Sequence, residues 1–217
     1  MTTHLQQELE NISQKIFQMA DLAIESIQNA VTSLKNVDTA LAESVIQKDT
    51  KLDQLEISID EDCIRVLVTK QPAAADLRLV LAILKANTDL ERIGDLSTSI
   101  AKETIRLDGR SPLKPLVDIP RMSEMAISMI KLAFHSFTER NADLARDCIE
   151  LDKQIDDLNM QVYRELFSFM AENPSTISQA LGLISVSKAL ERIGDHATNL
   201  AERAIYYIEG EDISHQE

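Results

Sequence analysis

The six residues Leu-Glu-Arg-Ile-Gly-Asp stand at positions 90–95 and recur without change at positions 190–195. Upstream, the two copies stay in step at an offset of 103, so that Leu41 corresponds to Leu144. Between the copies, residues 107–120 (LDGRSPLKPLVDIP) hold one of the five glycines and three of the five prolines. Because Gly and Pro interrupt regular structure, this segment is predicted to join two copies of one module.

The spacing of apolar residues in each module predicts helices. These residues recur every three or four positions over stretches of about thirty residues, which lays one apolar stripe along a long helix. Asp38 and Asn141 are good N-cap residues for the second helix of each module, and Pro72, Pro120 and Pro174 are expected in the first turns of later helices. With 5 Gly, 5 Pro, no Trp and 4% aromatic residues, the composition disfavours a many-stranded β protein.

We therefore predict an all-α protein of six long helices, arranged as two tandem three-helix bundles that are related by internal duplication. The first repeat is assigned to residues 1–110 and the second to residues 111–217. Long amphipathic helices with apolar residues on more than one side also predict a homodimer.

The charge and the hydrophobicity of the chain argue against several classes of protein. A formal net charge of −14 argues against binding to nucleic acid and against direct adsorption on an anionic membrane. No apolar run approaches the roughly 20 residues of a membrane span, and the start MTTHLQQELENISQK lacks the features of a signal peptide. We expect a cytoplasmic protein that meets the membrane only through its partners.

Acidic residues lie on helical faces that are otherwise apolar. At 100° per residue, Glu91 and Asp95 continue the apolar stripe of the third helix. The sixth helix repeats this pattern, and the second and fifth helices carry acidic columns of their own. The four pairs are Asp49 with Asp53, Glu91 with Asp95, Asp152 with Asp156, and Glu191 with Asp195.

Carboxylates that converge in this way call for a cation, because like charges and burial both oppose their ionisation. The candidates are Arg92, Arg192, other basic side chains or a metal. Carboxylate sites favour iron, Mn²⁺, Mg²⁺ or Ca²⁺, and Zn²⁺ stays open. Asn199 is a possible additional ligand. No Glu has a His three residues later, which disfavours a ferritin-like di-iron enzyme.

Two other hypotheses fit the same acidic pairs. One is a hydrolase of phosphoesters, in which two carboxylate-bridged metals activate water. The other is a metal-free structural adaptor, in which arginines neutralise the acidic helix faces. The chain contains no P-loop, nucleophile elbow or HExxH motif, and we predict that it is not an enzyme.

The duplicated ERIGD string resembles the PhoU family, as do QPAAADLR at residues 71–78 and HATNLAE at residues 196–202. The resemblance covers the whole chain and implies metal-binding E/D-x-x-x-D motifs at the four pairs. It also implies a negative regulator of the phosphate-starvation response. Such proteins link the ATPase subunit of the phosphate-specific ABC transporter to a sensor histidine kinase. Ser99 and Leu96 stand where the second repeat has Asn199 and His196, so the two sites are expected to differ in ligands.

Overall fold

The computed structural model describes residues 4–211 and residue 213, and this part of the chain forms six α-helices. A 3-10 turn, Pro174–Thr176, precedes the last of them. The helices are α1 His4–Asn36, α2 Thr39–Lys70, α3 Ala74–Arg106, α4 Asp118–Glu139, α5 Ala142–Glu172 and α6 Ile177–Glu209. The predicted all-α class is confirmed.

Both predicted caps of the second helices are present. The Asp38 carboxylate accepts a hydrogen bond from the backbone N–H of Leu41 at 2.9 Å, and the Asn141 side chain accepts one from Asp143 at 3.0 Å. Each bond satisfies an amide that the first turn of a helix leaves without a partner inside the helix. The two repeats therefore begin their second helices in the same way.

The expected positions of the prolines hold only in part. Pro120 lies in the first turn of α4, as predicted. Pro72 does not lie in the first turn of α3, because Gln71 and Ala74 both take left-handed backbone angles and the helix begins only at Ala74. Asn173 caps the 3-10 turn, with its side chain accepting from Ser175 N at 3.1 Å, and does not cap α6 directly.

The helices pack as two bundles that share one interface. In the first bundle α1 packs on α2 and α3, in the second α4 packs on α5 and α6, and α3 packs against α6. One layer of the molecule therefore runs α2, α3, α6, α5, and α1 and α4 form a second layer on one side of it. We call the other side of the four-helix layer, away from α1 and α4, the open face.

Contacts between the bundles show that α3 and α6 are antiparallel. Arg78, near the start of α3, donates to the backbone oxygen of Tyr207, near the end of α6, at 3.4 Å. Between α1 and α4, the rings of Phe17 and Phe134 meet edge to face with centroids 5.5 Å apart. The two repeats are thus related by a pseudo-twofold axis that runs through the α3–α6 interface, normal to the layers.

In α1 and α4, the predicted apolar residues form the core of each bundle, whereas Leu77 of α3 and Leu181 of α6, which were predicted on apolar stripes, are exposed. Ile12, Met19 and Ile27 of α1 are almost fully buried, as are Met122 and Ile130 of α4. Within the described residues, the apolar stretches are all too short or too interrupted by charge for a helix that could cross a membrane. The repeat boundaries at residues 1–110 and 111–217 stay a prediction.

Candidate metal centre

The acidic pairs of each repeat face one another between its second and third helices. In the first repeat, Asp49 and Asp53 of α2 lie close enough to Glu91 and Asp95 of α3 for their charges to interact. We call these four residues the first cluster. The second cluster comprises Asp152, Asp156, Glu191 and Asp195, which interact in the same way between α5 and α6.

The duplicated glycines set the spacing of these helices. A Cβ added to Gly94 would lie 2.7 Å from Leu52 Cδ1 and 3.0 Å from the Asp49 carboxylate. At Gly194 it would lie 3.1 Å from Ile155 Cδ1 and 3.2 Å from the Asp152 carboxylate. Glycine therefore allows the helices to approach closely and seats one carboxylate of each cluster against the backbone of the opposite helix.

In the second cluster, Asp152 is the most strongly perturbed carboxylate. Partial burial, followed by the charges of Asp195, Asp156 and Glu191, raises its pKa to about 6. The nearby Thr198 hydroxyl offsets part of this rise, although it forms no hydrogen bond of normal geometry. Burial and neighbouring acids also raise the pKa of Asp156 and of Asp195.

The first cluster has the same electrostatic character. Burial, then Asp53 and Asp95, raise the pKa of Asp49 to about 6, and Lys102 offsets a small part of the rise. The pKa of Glu91 is raised as well, chiefly by burial and by Asp95. The two repeats thus gather negative charge at equivalent places, as the repeated pairs predict.

Basic side chains neutralise these clusters only in part. Arg92 lies 3.5 Å from a Glu91 oxygen and 3.6 Å from an Asp95 oxygen. In the second cluster Lys188, and not the candidate Arg192, makes the ion pair, at 2.5 Å from Glu191. Arg192 is exposed. These ion pairs leave most of the carboxylate charge in each cluster uncompensated.

The donors present fit a hard metal ion. The buried oxygens Asp152 Oδ1 and Glu191 Oε2 have no hydrogen-bond partner, and an unpaired buried carboxylate oxygen is costly unless a cation faces it. As the side chains are placed, no three His, Cys, Asp or Glu residues in the described part of the chain are close enough together to hold one ion. The eight-residue metal assignment stays a prediction.

Asn199, the possible ninth ligand, has another partner in the structure. Its side chain donates to Asp89 Oδ1 at 3.1 Å, and His196 Nδ1 lies 2.9 Å from the same oxygen. This partly buried group joins α3 to α6. Comparison of the repeats could not indicate Asp89, because its counterpart is Ala189. A role for Asn199 as a metal ligand stays a prediction.

Without metal, the two perturbed aspartates are expected to make the protein less stable at pH 7 than at pH 5. Their folded pKa, about 6, exceeds the ordinary value of 3.8, so between these values the folded state binds more protons than the unfolded state. The free energy of unfolding therefore falls as pH rises through this window, by about 1 kcal/mol per group after allowance for solvent screening. Urea denaturation with a chelator at both pH values measures this fall.

The double variant Asp49→Asn/Asp152→Asn is the comparison for this pH dependence. In this variant the free energy of unfolding should differ less between pH 5 and pH 7, because the two carboxylates that cause the difference are absent. A pH dependence identical to that of the unsubstituted protein would show that neither group is perturbed.

Comparison with known protein families also detects the duplication. The family model described as "PhoU domain" matches the chain twice, at residues 16–104 and 119–204. The chain is 39% identical over 221 residues to a phosphate-specific transport system accessory protein PhoU homolog of Pseudomonas putida, covering 99% of this chain and 86% of the relative.

Two solved structures have nearly the same fold. The crystal structure of PhoU from Pseudomonas aeruginosa is 37% identical, with a TM-score of 0.90, and the match covers 94% of this chain and 98% of that one. The phosphate transport system regulatory protein PhoU from Streptococcus pneumoniae is 27% identical, with a TM-score of 0.89, over 96% of this chain and 99% of that one. The arrangement of two three-helix bundles is thereby confirmed.

Proposed function

The chain belongs to the PhoU family, and from this premise we propose that it is an accessory and regulatory protein of a phosphate-specific transport system. The observation that carries the proposal is the double family match, which includes both ERIGD strings. We further propose that it acts in the cytoplasm as a negative regulator of the phosphate-starvation response. In this role it couples the ATPase subunit of the phosphate ABC transporter to a sensor histidine kinase.

We propose that the two clusters are metal centres of this regulator. Asp49, Asp53, Glu91 and Asp95 hold metal in the first repeat, and their counterparts do so in the second. The bound ion supplies positive charge that offsets the repulsion among these acids. The chain's own contribution is to present carboxylates from two helices at once, so that occupancy of a cluster controls how firmly the helices are held together.

A binding role suits the clusters better than hydrolysis of a phosphoester. A phosphoester carries negative charge, and the acids repel it unless basic groups or metal face it. Arg92 and Lys188 are the basic residues paired within the clusters, and both already contact carboxylates. We therefore propose that the protein regulates through binding.

Deletion of the gene in its native host tests the regulatory proposal. With a phosphate-starvation reporter and growth in high phosphate, we expect constitutive expression in the deletion strain and restored repression when the gene is supplied again. A reporter that stays repressed in the deletion strain would contradict negative regulation. Complementation by a variant in which the four cluster aspartates of α2 and α5, Asp49, Asp53, Asp152 and Asp156, are changed to Asn shows whether the clusters matter for this repression.

A further inference from the structure

The exposed apolar residues are concentrated on two surfaces. Of the eleven large hydrophobic side chains that are exposed among the described residues, ten lie on the second and third helices of the two repeats. Single exposed apolar residues are ordinary, whereas a row of them indicates an interaction surface.

The first row lies on α2. Ile57, Ile64 and Val68 are between 57% and 71% exposed and fall within 40° of one another on the helical wheel. Asp62, which contacts Lys15 of α1 at 2.6 Å, is 160° from Ile64 around the same helix. The row that we call the first stripe therefore points away from α1, onto the open face.

The second row occupies the equivalent place on α5. Met160, Tyr163 and Phe167 are between 49% and 59% exposed, and we call them the second stripe. Met160 and Phe167 correspond to Ile57 and Ile64 at the offset of 103 that relates α2 to α5. Both modules thus carry an exposed apolar row at equivalent positions, although these side chains lie outside the core. The repetition indicates a function that both modules perform.

Each stripe continues onto the neighbouring helix. Leu77, in the first turn of α3, and Leu181, in α6, are also exposed. Because α2 runs antiparallel to α3, the end of α2 near Val68 lies beside the start of α3, and the same relation holds for α5 and α6. We call the first stripe together with Leu77 the first groove, and the second stripe together with Leu181 the second groove. The pseudo-twofold axis places both on the open face.

The charge beside the grooves decides what can occupy them. Each groove leads along its two helices into a carboxylate cluster, and the whole chain carries a formal net charge of −14, which one divalent ion in each cluster would reduce only to −10 (−14 + 2 × 2). A second copy of this face or an anionic membrane would bring like charge against these acids. A helix with one apolar side and basic flanks matches both the apolar and the charged parts of the groove.

We propose that each groove binds one basic amphipathic helix of a partner protein, so that a single chain holds two such helices on its open face. The inference rests on the proposed function only in that a regulator of this kind must dock partners. It adds the surface and the chemistry of the docking segment.

The test uses a labelled 18-residue peptide with leucines at helical spacing and lysines elsewhere, titrated with the full-length protein. We expect two peptides to bind per chain. Ile57→Ser/Ile64→Ser/Val68→Ser should remove one of them, as should Met160→Ser/Tyr163→Ser/Phe167→Ser. The six substitutions together should raise the dissociation constant at least about tenfold. All six positions are exposed, and circular dichroism confirms that the helices remain.

Two controls distinguish binding in the grooves from non-specific attraction of a basic peptide to an acidic protein. A scrambled peptide with the same charge, whose leucines lie all around the helix, should bind at least about tenfold more weakly. Ile105→Ser/Val117→Ser removes two exposed hydrophobic residues outside the grooves and should leave binding unchanged.

Several results would overturn the inference. One is equal affinity for the six-substituted and unsubstituted proteins, and another is equal affinity for the two peptides. A dimer that the stripe substitutions convert to monomer, with unchanged peptide affinity, would make a second copy the occupant. Stripe-dependent sedimentation with phosphatidylglycerol vesicles would assign the grooves to a membrane. The reporter experiment is independent, so a failure of the regulatory function would be recognised separately.

Discussion

Replacing Asp152 by Asn is expected to have opposite effects on the metal-free and metal-loaded protein. Without metal, the variant should be more stable by about 1 kcal/mol, because it removes a carboxylate that Asp195, Asp156 and Glu191 disfavour. With metal at about 100 times its dissociation constant, binding contributes about 2.7 kcal/mol to the unsubstituted site, and most of this should be lost. Thermal melting with chelator and with added metal, together with elemental analysis, measures both effects.

The double variants Asp49→Ala/Glu91→Ala and Asp152→Ala/Glu191→Ala extend this test to each cluster in turn. Each should lose the metal of its own repeat only. Asp147→Asn is the matched control, since this exposed acid lies on another side of α5 and should change neither stability nor metal content. Unchanged metal content in both double variants would disprove the assignment of these acids as ligands.

The substitution Gly94→Val is expected to destabilise the protein by about 3 kcal/mol. Its Cβ alone would stand 2.7 Å from Leu52 Cδ1, and Leu52 is only 3% exposed, so it has no free space into which to turn. Relief requires α2 to move away from α3, which would also separate the two halves of the first cluster. Urea denaturation gives the loss in stability, and metal content reports the change at the cluster.

Gly194→Val is the matched substitution in the second repeat. Its nearest neighbours would be 3.1 and 3.2 Å away, so the cost should be smaller than at Gly94. Gly182→Ala provides a control within a helix, since only the end of the Glu103 side chain comes near, at 3.0 Å. That change should be neutral or stabilising by up to about 1 kcal/mol, because Ala favours the helix. Equal losses at all three glycines would contradict a specific role for close packing at Gly94.

Local patterns predicted the helices correctly, and the acidic pairs that they indicated lie near one another in the structure. The side of a helix on which a residue lies follows from its position at 100° per residue, so Glu91 and Asp95 could be placed on the side of the apolar stripe before any packing was known. The repeat then implied the same for Glu191 and Asp195. Pro72 was misplaced because the left-handed conformations of Gln71 and Ala74 have no clear sequence signal.

Contacts between distant elements could not be predicted in this way. Asp89 meets His196 and Asn199 only because α3 packs antiparallel to α6, and none of the three positions keeps its residue type in the other repeat. The choice of Lys188 over Arg192 as the basic partner of Glu191 likewise depends on side-chain placement in the assembled bundle.

Helical periodicity and repetition are properties of the chain alone, and they were enough to predict a duplicated bundle of long helices with paired acids at equivalent positions of the second and third helices of each repeat. Which apolar residues stay exposed, and whether the two stripes share one face, depends instead on how the helices pack against one another. A stripe such as Ile57, Ile64 and Val68 looks like core from its spacing, and whether it is buried depends on where α1 and α3 pack against α2.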